Sequence, residues 1–213
     1  MQVDLTRQTR GEELANVLTH AIGVAAGAIG GAMLIVLAVL RGTAWDVVGV
    51  SVFTGALIAL YGASTAYHAA RHPRVRQQLK VLDHCAIYLL IAGSYTPFMI
   101  GQLRGGWGWS LFGVIWGLAL VGVVFKLFFT GRFKLISTGV YVAMGWLVLL
   151  AIGPLVSRLA PATLLWLLAG GIAYTAGTPF YHAVRIRYAH AVWHLFVLAG
   201  SVCHAIAVAT AIL

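Results

Sequence analysis

The stretch His190-Ala191-Val192-Trp193-His194 opens an apolar run that ends at Leu213, and it sets the problem that the fold must solve. Two histidines four residues apart lie on one face of a helix, one turn apart. No Asp, Glu, Lys or Arg interrupts the run from His190 onwards. Ionisable side chains inside a membrane span are costly and usually mark a functional site. These two imidazoles therefore need polar partners elsewhere in the chain.

The composition is that of a helical membrane protein. Hydrophobic residues make up 61% of the 213 residues and charged residues 9%, against about 45–50% and about 25% in soluble domains. Lipid requires every backbone polar group to be satisfied internally, and no alternating strand pattern is present, so we expect an all-α polytopic fold. Cys85 and Cys203 lie in apolar runs and are interpreted as small buried hydrophobes. The charged first segment predicts no cleavable signal peptide.

Seven apolar segments reach the length of about 20 residues that a membrane span needs. Every connection between them is short, so they predict a single domain, residues 1–213, folded as a seven-transmembrane helix bundle. The predicted spans are about 17–40, 45–69, 81–101, 107–129, 135–156, 162–181 and 190–213.

The basic residues orient this bundle. Eleven of them fall at the amino terminus or in even-numbered loops, and three fall on the other side. The positive-inside rule then predicts a cytoplasmic amino terminus and an extracytoplasmic carboxyl terminus in the cell (inner or plasma) membrane. Topology thus explains the net charge of +9, and nucleic acid is not expected as a partner. The eleven are Arg7, Arg10, Arg71, Arg74, Arg76, Lys80, Lys126, Arg132, Lys134, Arg185 and Arg187, and the three are Arg41, Arg104 and Arg158.

Polar residues of three predicted spans share one depth on the cytoplasmic side. Ser64 and His68 lie on one face near the end of the second span. Asp83 lies near the start of the third span, at the depth of His190 and His194. Three neutral imidazoles with a water in the fourth position form a catalytic type of zinc site, beside which a carboxylate can orient or deprotonate the water. A serine one turn from a ligand can stabilise a developing oxyanion.

Sequence spacing alone does not decide which histidine is the third metal ligand. His68 ends the second span and His182 ends the sixth, and each has an oxygen-bearing side chain four residues earlier. His204 lies about 15 Å beyond His194 along the last helix, which is too deep to share a metal ion, so it is expected to pack between helices or line a lipid pocket. His20, with Asn16 and Glu13 a turn or two before it, opens the first span on the same side and is a weaker candidate for a polar network near the site.

Structural roles are the alternative for each of these residues. A histidine near a span end often lies half-solvated at the membrane interface. Asp83 can pair with Lys80 or Arg76 and anchor a loop, and Ser64 can bond to the Leu60 carbonyl of its own helix.

Five motifs extend over nearly the whole chain. They are Glu13-x-x-Asn16-x-x-Thr19-His20, Ser64-Thr65-Ala66-Tyr67-His68, Leu82-Asp83-His84, Gly93-Ser94-Tyr95-Thr96-Pro97, and His190-Ala191-Val192-Trp193-His194 with His204. In order and spacing they resemble the hemolysin III branch of the progestin and adipoQ receptor (PAQR) family.

The resemblance implies a seven-helix bundle with a cytoplasmic amino terminus and a zinc ion near the cytoplasmic face. It favours the histidine of the second span as the third ligand. The family is grouped with alkaline ceramidases and related membrane hydrolases, which implies zinc-dependent hydrolysis of a lipid amide or ester, with a fatty-acyl lipid as substrate and a role in membrane lipid homeostasis. The implied zinc ligands are His68, His190 and His194, and the implied catalytic residues are Asp83 and Ser64.

Two other functions are open at this point. A non-enzymatic membrane sensor or regulator would use zinc only to tie the second and seventh spans together. A hemolysin-type pore-forming toxin is less consistent with the sequence, because no secretion signal or amphipathic soluble-to-membrane segment is evident. Receptor members of the family carry longer amino-terminal domains than this sequence, so no soluble protein ligand is expected.

Overall fold

A computed structural model describes residues 8–213, and these residues form helices joined by short turns. The all-α prediction is confirmed. Arg7, which belongs to the predicted cytoplasmic amino terminus, lies outside the described residues. The helices are α1 (Arg10–Arg41), α2 (Ala44–Ala69), α3 (Pro73–Pro97, extended by a π-helical turn, Phe98–Gln102), α4 (Gly106–Phe129), α5 (Lys134–Trp146), α6 (Ile152–Arg158, joined to α5 by the 3₁₀ stretch Leu147–Ala151), α7 (Pro161–His182) and α8 (Ala189–Ile212).

Six helical segments of the described chain are long and apolar enough to cross a membrane: α1, α2, α3 with its extension, α4, α5–α6 and α8. Burial on α1 fits lipid surroundings, because Ile22, Ile29 and Met33 are exposed whereas Asn16 and His20 are buried. Helix α7 corresponds to the predicted sixth span, but its Gly, Pro, Thr and Tyr residues make it less apolar. The count of seven crossings and the orientation stay predictions.

Two helices begin earlier than the apolar runs indicated. Helix α1 begins at Arg10 because Thr9 and Glu12 form a capping box, in which each side chain bonds to the backbone of the other. Helix α3 begins at Pro73, since proline at the first helical position loses no hydrogen bond. A search for apolar runs stops at charged turns, whereas capping decides where a helix begins. The extra turns bring Glu13 and Arg76 into helices beside the site.

Small residues let α1 approach α2 closely. Gly23, Gly27 and Gly31 form a buried stripe on α1. A Cβ atom at Gly23 would lie 2.6 Å from Cδ1 of Tyr61, and one at Gly31 would lie 2.2 Å from Cγ2 of Thr54. Glycine stripes of this kind are a usual way for membrane helices to pack. Helix α1 also packs on α8, so the ends of α1, α2 and α8 meet.

The α5–α6 segment contains a local break. Pro154 has no N–H and its ring crowds the carbonyl four residues earlier, which accounts for the 3₁₀ stretch before it. The hydroxyl of Tyr95 enters this break: it accepts a hydrogen bond from the Val148 N–H at 2.9 Å and lies 2.8 Å from the Met144 carbonyl oxygen. Tyr95 thereby provides partners for backbone groups within the break, as lipid surroundings require.

Candidate metal centre

Three histidine side chains, one from α2 and two from α8, meet at one end of the bundle. His68 lies in the last turn of α2, and His190 and His194 lie in the first two turns of α8. One ring nitrogen of each histidine lies within 4.8 Å of the other two. His68 and His194 are buried, with exposed fractions of 4% and 0%. This three-histidine cluster can hold a metal ion.

Helix α1 fixes the tautomers of two of these rings. The Glu13 carboxylate oxygen Oε2 lies 2.7 Å from Nδ1 of His68, so that nitrogen carries the proton and donates it. Thr19 Oγ1 lies 3.0 Å from Nδ1 of His194. The Thr19 hydroxyl donates its own proton to the backbone, with the Ala15 carbonyl at 2.9 Å, so its oxygen accepts from His194. Both rings therefore keep a lone pair on Nε2, the nitrogen available to a metal.

The same two Nε2 atoms support a metal at this position. Those of His68 and His194 are buried and have no hydrogen-bond partner within residues 8–213. A buried polar atom left unpaired costs about 1–3 kcal/mol, so native structures rarely contain one without a reason. A metal ion between the rings pairs both atoms at once, and the donor set of neutral imidazoles fits it.

Two neighbouring acidic residues join α1 to the helices that carry the cluster. Glu13 accepts from Nδ1 of His68 through one oxygen and from Arg76 of α3 through the other. Glu12 accepts from the Tyr188 N–H, at the start of α8, at 3.1 Å. Carboxylate–histidine pairs such as Glu13 and His68 orient metal-binding rings and raise their basicity.

From the sequence, Glu13 was only a weaker candidate, with Asn16 and His20, for a polar network near the site. Glu13 lies outside the apolar run of the first span, and no role was predicted for Thr19. The signal was present: Glu13, Asn16, Thr19 and His20 recur at three- and four-residue spacing, which places them on one helix face.

Replacing Thr19 by Val should weaken metal binding by about 10–100-fold. The ring of His194 loses the acceptor that holds its proton on Nδ1, while the size of the side chain is kept. The affinity is measured by competition with a chromophoric chelator. Thr65→Val is the matched control, because the Thr65 hydroxyl bonds to the Tyr61 carbonyl of its own helix at 2.7 Å. An unchanged affinity in Thr19→Val would contradict the assigned tautomer.

The structure places the other histidines apart from the cluster or beside it. Nε2 of His182 lies 3.0 Å from Oγ1 of Thr138 on α5. His68 is therefore the third member of the cluster, and His182 is not. The ring of His20 stacks on that of His194, with centroids 3.5 Å apart and an interplanar angle of 15°. His20 is therefore in direct contact with the cluster.

Asp83 and Ser64 are buried, and neither makes the structural contact that was its alternative role in the sequence. Within the described chain, the basic group within 4 Å of the Asp83 carboxylate is Nδ1 of His84, at 3.5 Å, so Asp83 pairs with neither Lys80 nor Arg76. Oγ of Ser64 is buried and has no hydrogen-bond partner in residues 8–213, its own helix included. Both polar groups are available to a ligand or a metal-bound group.

A cavity of about 360 Å³ lies against this end of the bundle. Asp83, His20 and Trp193 line it near the cluster, and Met99 lines it further away. Met99 follows Asp83 by sixteen residues of α3 and its extension, which is about 24 Å of helix. The volume falls in the range of small-molecule sites, about 300–1,000 Å³. Among the described residues, the lining is mostly aliphatic and aromatic and does not include the three clustered histidines.

Related sequences occur in bacteria and animals. The family model described as "Haemolysin-III related" matches residues 8–205. The chain is 46% identical over 190 residues to the "Hemolysin-3 homolog" of Bacillus subtilis (strain 168), covering 89% of each protein. It is 45% identical over 203 residues to "Hemolysin-3" of Bacillus cereus (94% of this chain, 93% of the relative) and 28% identical over 205 residues to "Monocyte to macrophage differentiation factor" of Homo sapiens (91% and 81%). No solved structure matches the chain.

Proposed function

The chain belongs to the haemolysin-III related family of membrane proteins, and on that premise we propose that it is a zinc-dependent hydrolase of fatty-acyl lipid amides or esters. One observation carries the proposal: Asp83 and His20 line one end of a long apolar cavity, and the ring of His20 stacks on His194 of the three-histidine cluster. A metal centre beside an acyl-sized cavity suits a reaction at the polar end of a lipid.

Zinc is the metal that the donor set favours. Neutral imidazoles suit zinc, and three of them leave a fourth position open in zinc enzymes. His68, His190 and His194 would hold the ion. Bound there, zinc would polarise a carbonyl group and lower the pKa of water to about 7.

The cavity indicates the substrate class. Leu90, Ile91, Leu167 and Val197 are representative of its lining, which suits an acyl chain lying along the bundle axis. Asp83 provides an acidic group where the lining approaches the cluster. With the predicted cytoplasmic amino terminus, the headgroup of the lipid faces the cytoplasmic leaflet.

Two residues of the chain then have roles in the reaction. Asp83 accepts a proton from the attacking water and returns it to the leaving amine or alcohol as the acyl C–N or C–O bond breaks. The Ser64 hydroxyl donates a hydrogen bond to the carbonyl oxygen as negative charge develops there. The products are a fatty acid and the amine or alcohol of the headgroup.

The proposal is tested with purified protein in phospholipid nanodiscs. Ceramide, other acyl amides and phospholipid esters are supplied, and fatty-acid release is followed by mass spectrometry. We expect release from at least one substrate, its loss after chelation of zinc, and its return when zinc is added back. Release that is absent throughout, or that is insensitive to chelation, would contradict the proposal.

The burial of the cluster favours a second candidate, a membrane sensor or regulator in which zinc fastens α2 to α8. His194 is fully buried, and the clustered histidines lie behind the cavity wall and not in it. A structural ion needs no access to substrate. In this case the Asp83 carboxylate has no chemical task, so its replacement by an amide leaves function unchanged.

A further inference from the structure

His204 of α8 lines the cavity far from the three-histidine cluster. It follows His194 by ten residues, which is about 15 Å along the helix. It lies about 22 Å from the start of α8 at Ala189, which is past the middle of a hydrocarbon core about 30 Å thick. An interfacial position therefore does not explain this imidazole, and a polar group at such depth is expected to have a function.

One nitrogen of the His204 imidazole lacks a polar partner, while the ring also bonds to the Leu167 backbone. Its Nδ1 atom is buried and has no hydrogen-bond partner in the part of the chain that the structure describes. The nearest aromatic neighbour is Tyr174 of α7, whose ring meets the imidazole edge-on with centroids 5.4 Å apart. Buried polar groups in native proteins are nearly always paired, so a group from outside the chain is expected here.

Tyr174 adds a second hydrogen-bonding group at the same place. Its hydroxyl lies 2.8 Å from Oγ of Ser201. Oγ of Ser201 already accepts from the Tyr61 hydroxyl at 2.6 Å and still has its own proton to give to Tyr174. In that arrangement the Tyr174 O–H remains free to donate into the cavity.

Glycines on the facing helices hold both rings in place. A Cβ atom at Gly170 of α7 would lie 2.3 Å from Cδ2 of His204. A Cβ atom at Gly200 of α8 would lie 2.7 Å from Cε2 of Tyr174. Each ring thus fills the notch that a glycine leaves on the opposite helix, and the pair is built into the α7–α8 contact.

We propose that His204 and Tyr174 form a polar subsite that binds a hydroxyl group partway along an acyl chain held in the cavity. This rests on the proposed function, since it takes an acyl chain as the ligand. A hydroxyl fits because it both donates and accepts, as an imidazole and a phenol require. No Lys or Arg of the described chain lines the cavity, so an ionised carboxylate would lie there uncompensated. The surrounding Leu167, Leu168 and Val197 suit methylene groups on either side.

The test compares octadecanoate with the same acid carrying a mid-chain hydroxyl. Each displaces a fluorescent fatty acid from the purified full-length protein in nanodiscs. For the unmodified protein we expect about tenfold tighter binding of the hydroxylated chain. In His204→Phe, which keeps a ring of similar size, the two chains should bind equally and the zinc content should not change. Cys203→Ala is the matched control, because Cys203 precedes His204 but does not line the cavity.

The possible outcomes separate this inference from the proposed function. Equal binding of the two chains to the unmodified protein overturns the inference alone and indicates that His204 pairs only with water. Binding of neither chain overturns the inference together with the acyl class of substrate. If His204→Phe does not fold, Tyr174→Phe replaces it, and a preference that survives intact in either folded variant overturns the subsite.

Discussion

Asp83→Asn is expected to reduce fatty-acid release by about 100- to 10,000-fold, which is the usual contribution of a general acid–base group. The amide has nearly the shape of the carboxylate but cannot accept the proton of the attacking water. Because Asp83 is not a member of the three-histidine cluster, the variant should retain its zinc. Release of fatty acid and zinc content are measured on the same preparation.

Asp46→Asn provides the matched control for this prediction. Asp46 is as buried as Asp83, each with an exposed fraction of 7%, but it caps the start of α2 at the opposite end of that helix from His68. Its replacement should lower the thermal midpoint while fatty-acid release per folded molecule stays the same. Full activity in Asp83→Asn would reject the hydrolytic role of this carboxylate and favour a purely structural ion.

His190→Ala is expected to lower the zinc content from about one ion per chain to a small fraction of that. Loss of one of three imidazoles removes a bond to the metal itself, so the effect should exceed the roughly 10–100-fold seen when an outer partner is lost. The thermal midpoint should fall as well, because metal binding free energy adds to folding free energy. Elemental analysis and thermal unfolding in the presence and absence of chelator check both effects.

His182→Ala separates this effect from a general loss of polar packing. His182 lies at the same end of the bundle, but its ring bonds to Thr138 of α5 and not to the cluster. The variant should retain its zinc and keep the stability increment that zinc provides. If His190→Ala binds zinc as well as the unmodified protein, the three-histidine cluster is not the metal centre.

The depth of polar residues could be predicted from the sequence, because lipid excludes charge and makes each ionisable group in a span conspicuous. Depth alone brought His68, Asp83, His190 and His194 to one level. It could not decide between His68 and His182, since both end a span on the same side. That choice depends on how each helix is rotated about its axis, and the rotation is set by packing such as the close contact of Gly23 with Tyr61.

The sequence places Glu13 and Thr19 on one helix face, but it does not show which histidines they contact. Glu13 contacts His68 of α2, and Thr19 contacts His194 of α8, which is 175 residues further along the sequence. A hydropathy pattern carries no information on which helices are neighbours. The break between α5 and α6 follows from Pro154, which the sequence shows, but the Tyr95 hydroxyl that bonds to the broken backbone comes from α3 and could not be predicted.

The placement of the three clustered histidines also has a consequence for biosynthesis. His68 emerges from the ribosome early, whereas His190 and His194 belong to the last helix to be inserted. Glu12 and Glu13 of the first helix contact both parts, so the cluster closes only when the first, second and last helices stand side by side. A metal held by all three histidines could therefore bind only after α8 is inserted, because a nascent chain arrested before α8 contains just one of the three, His68.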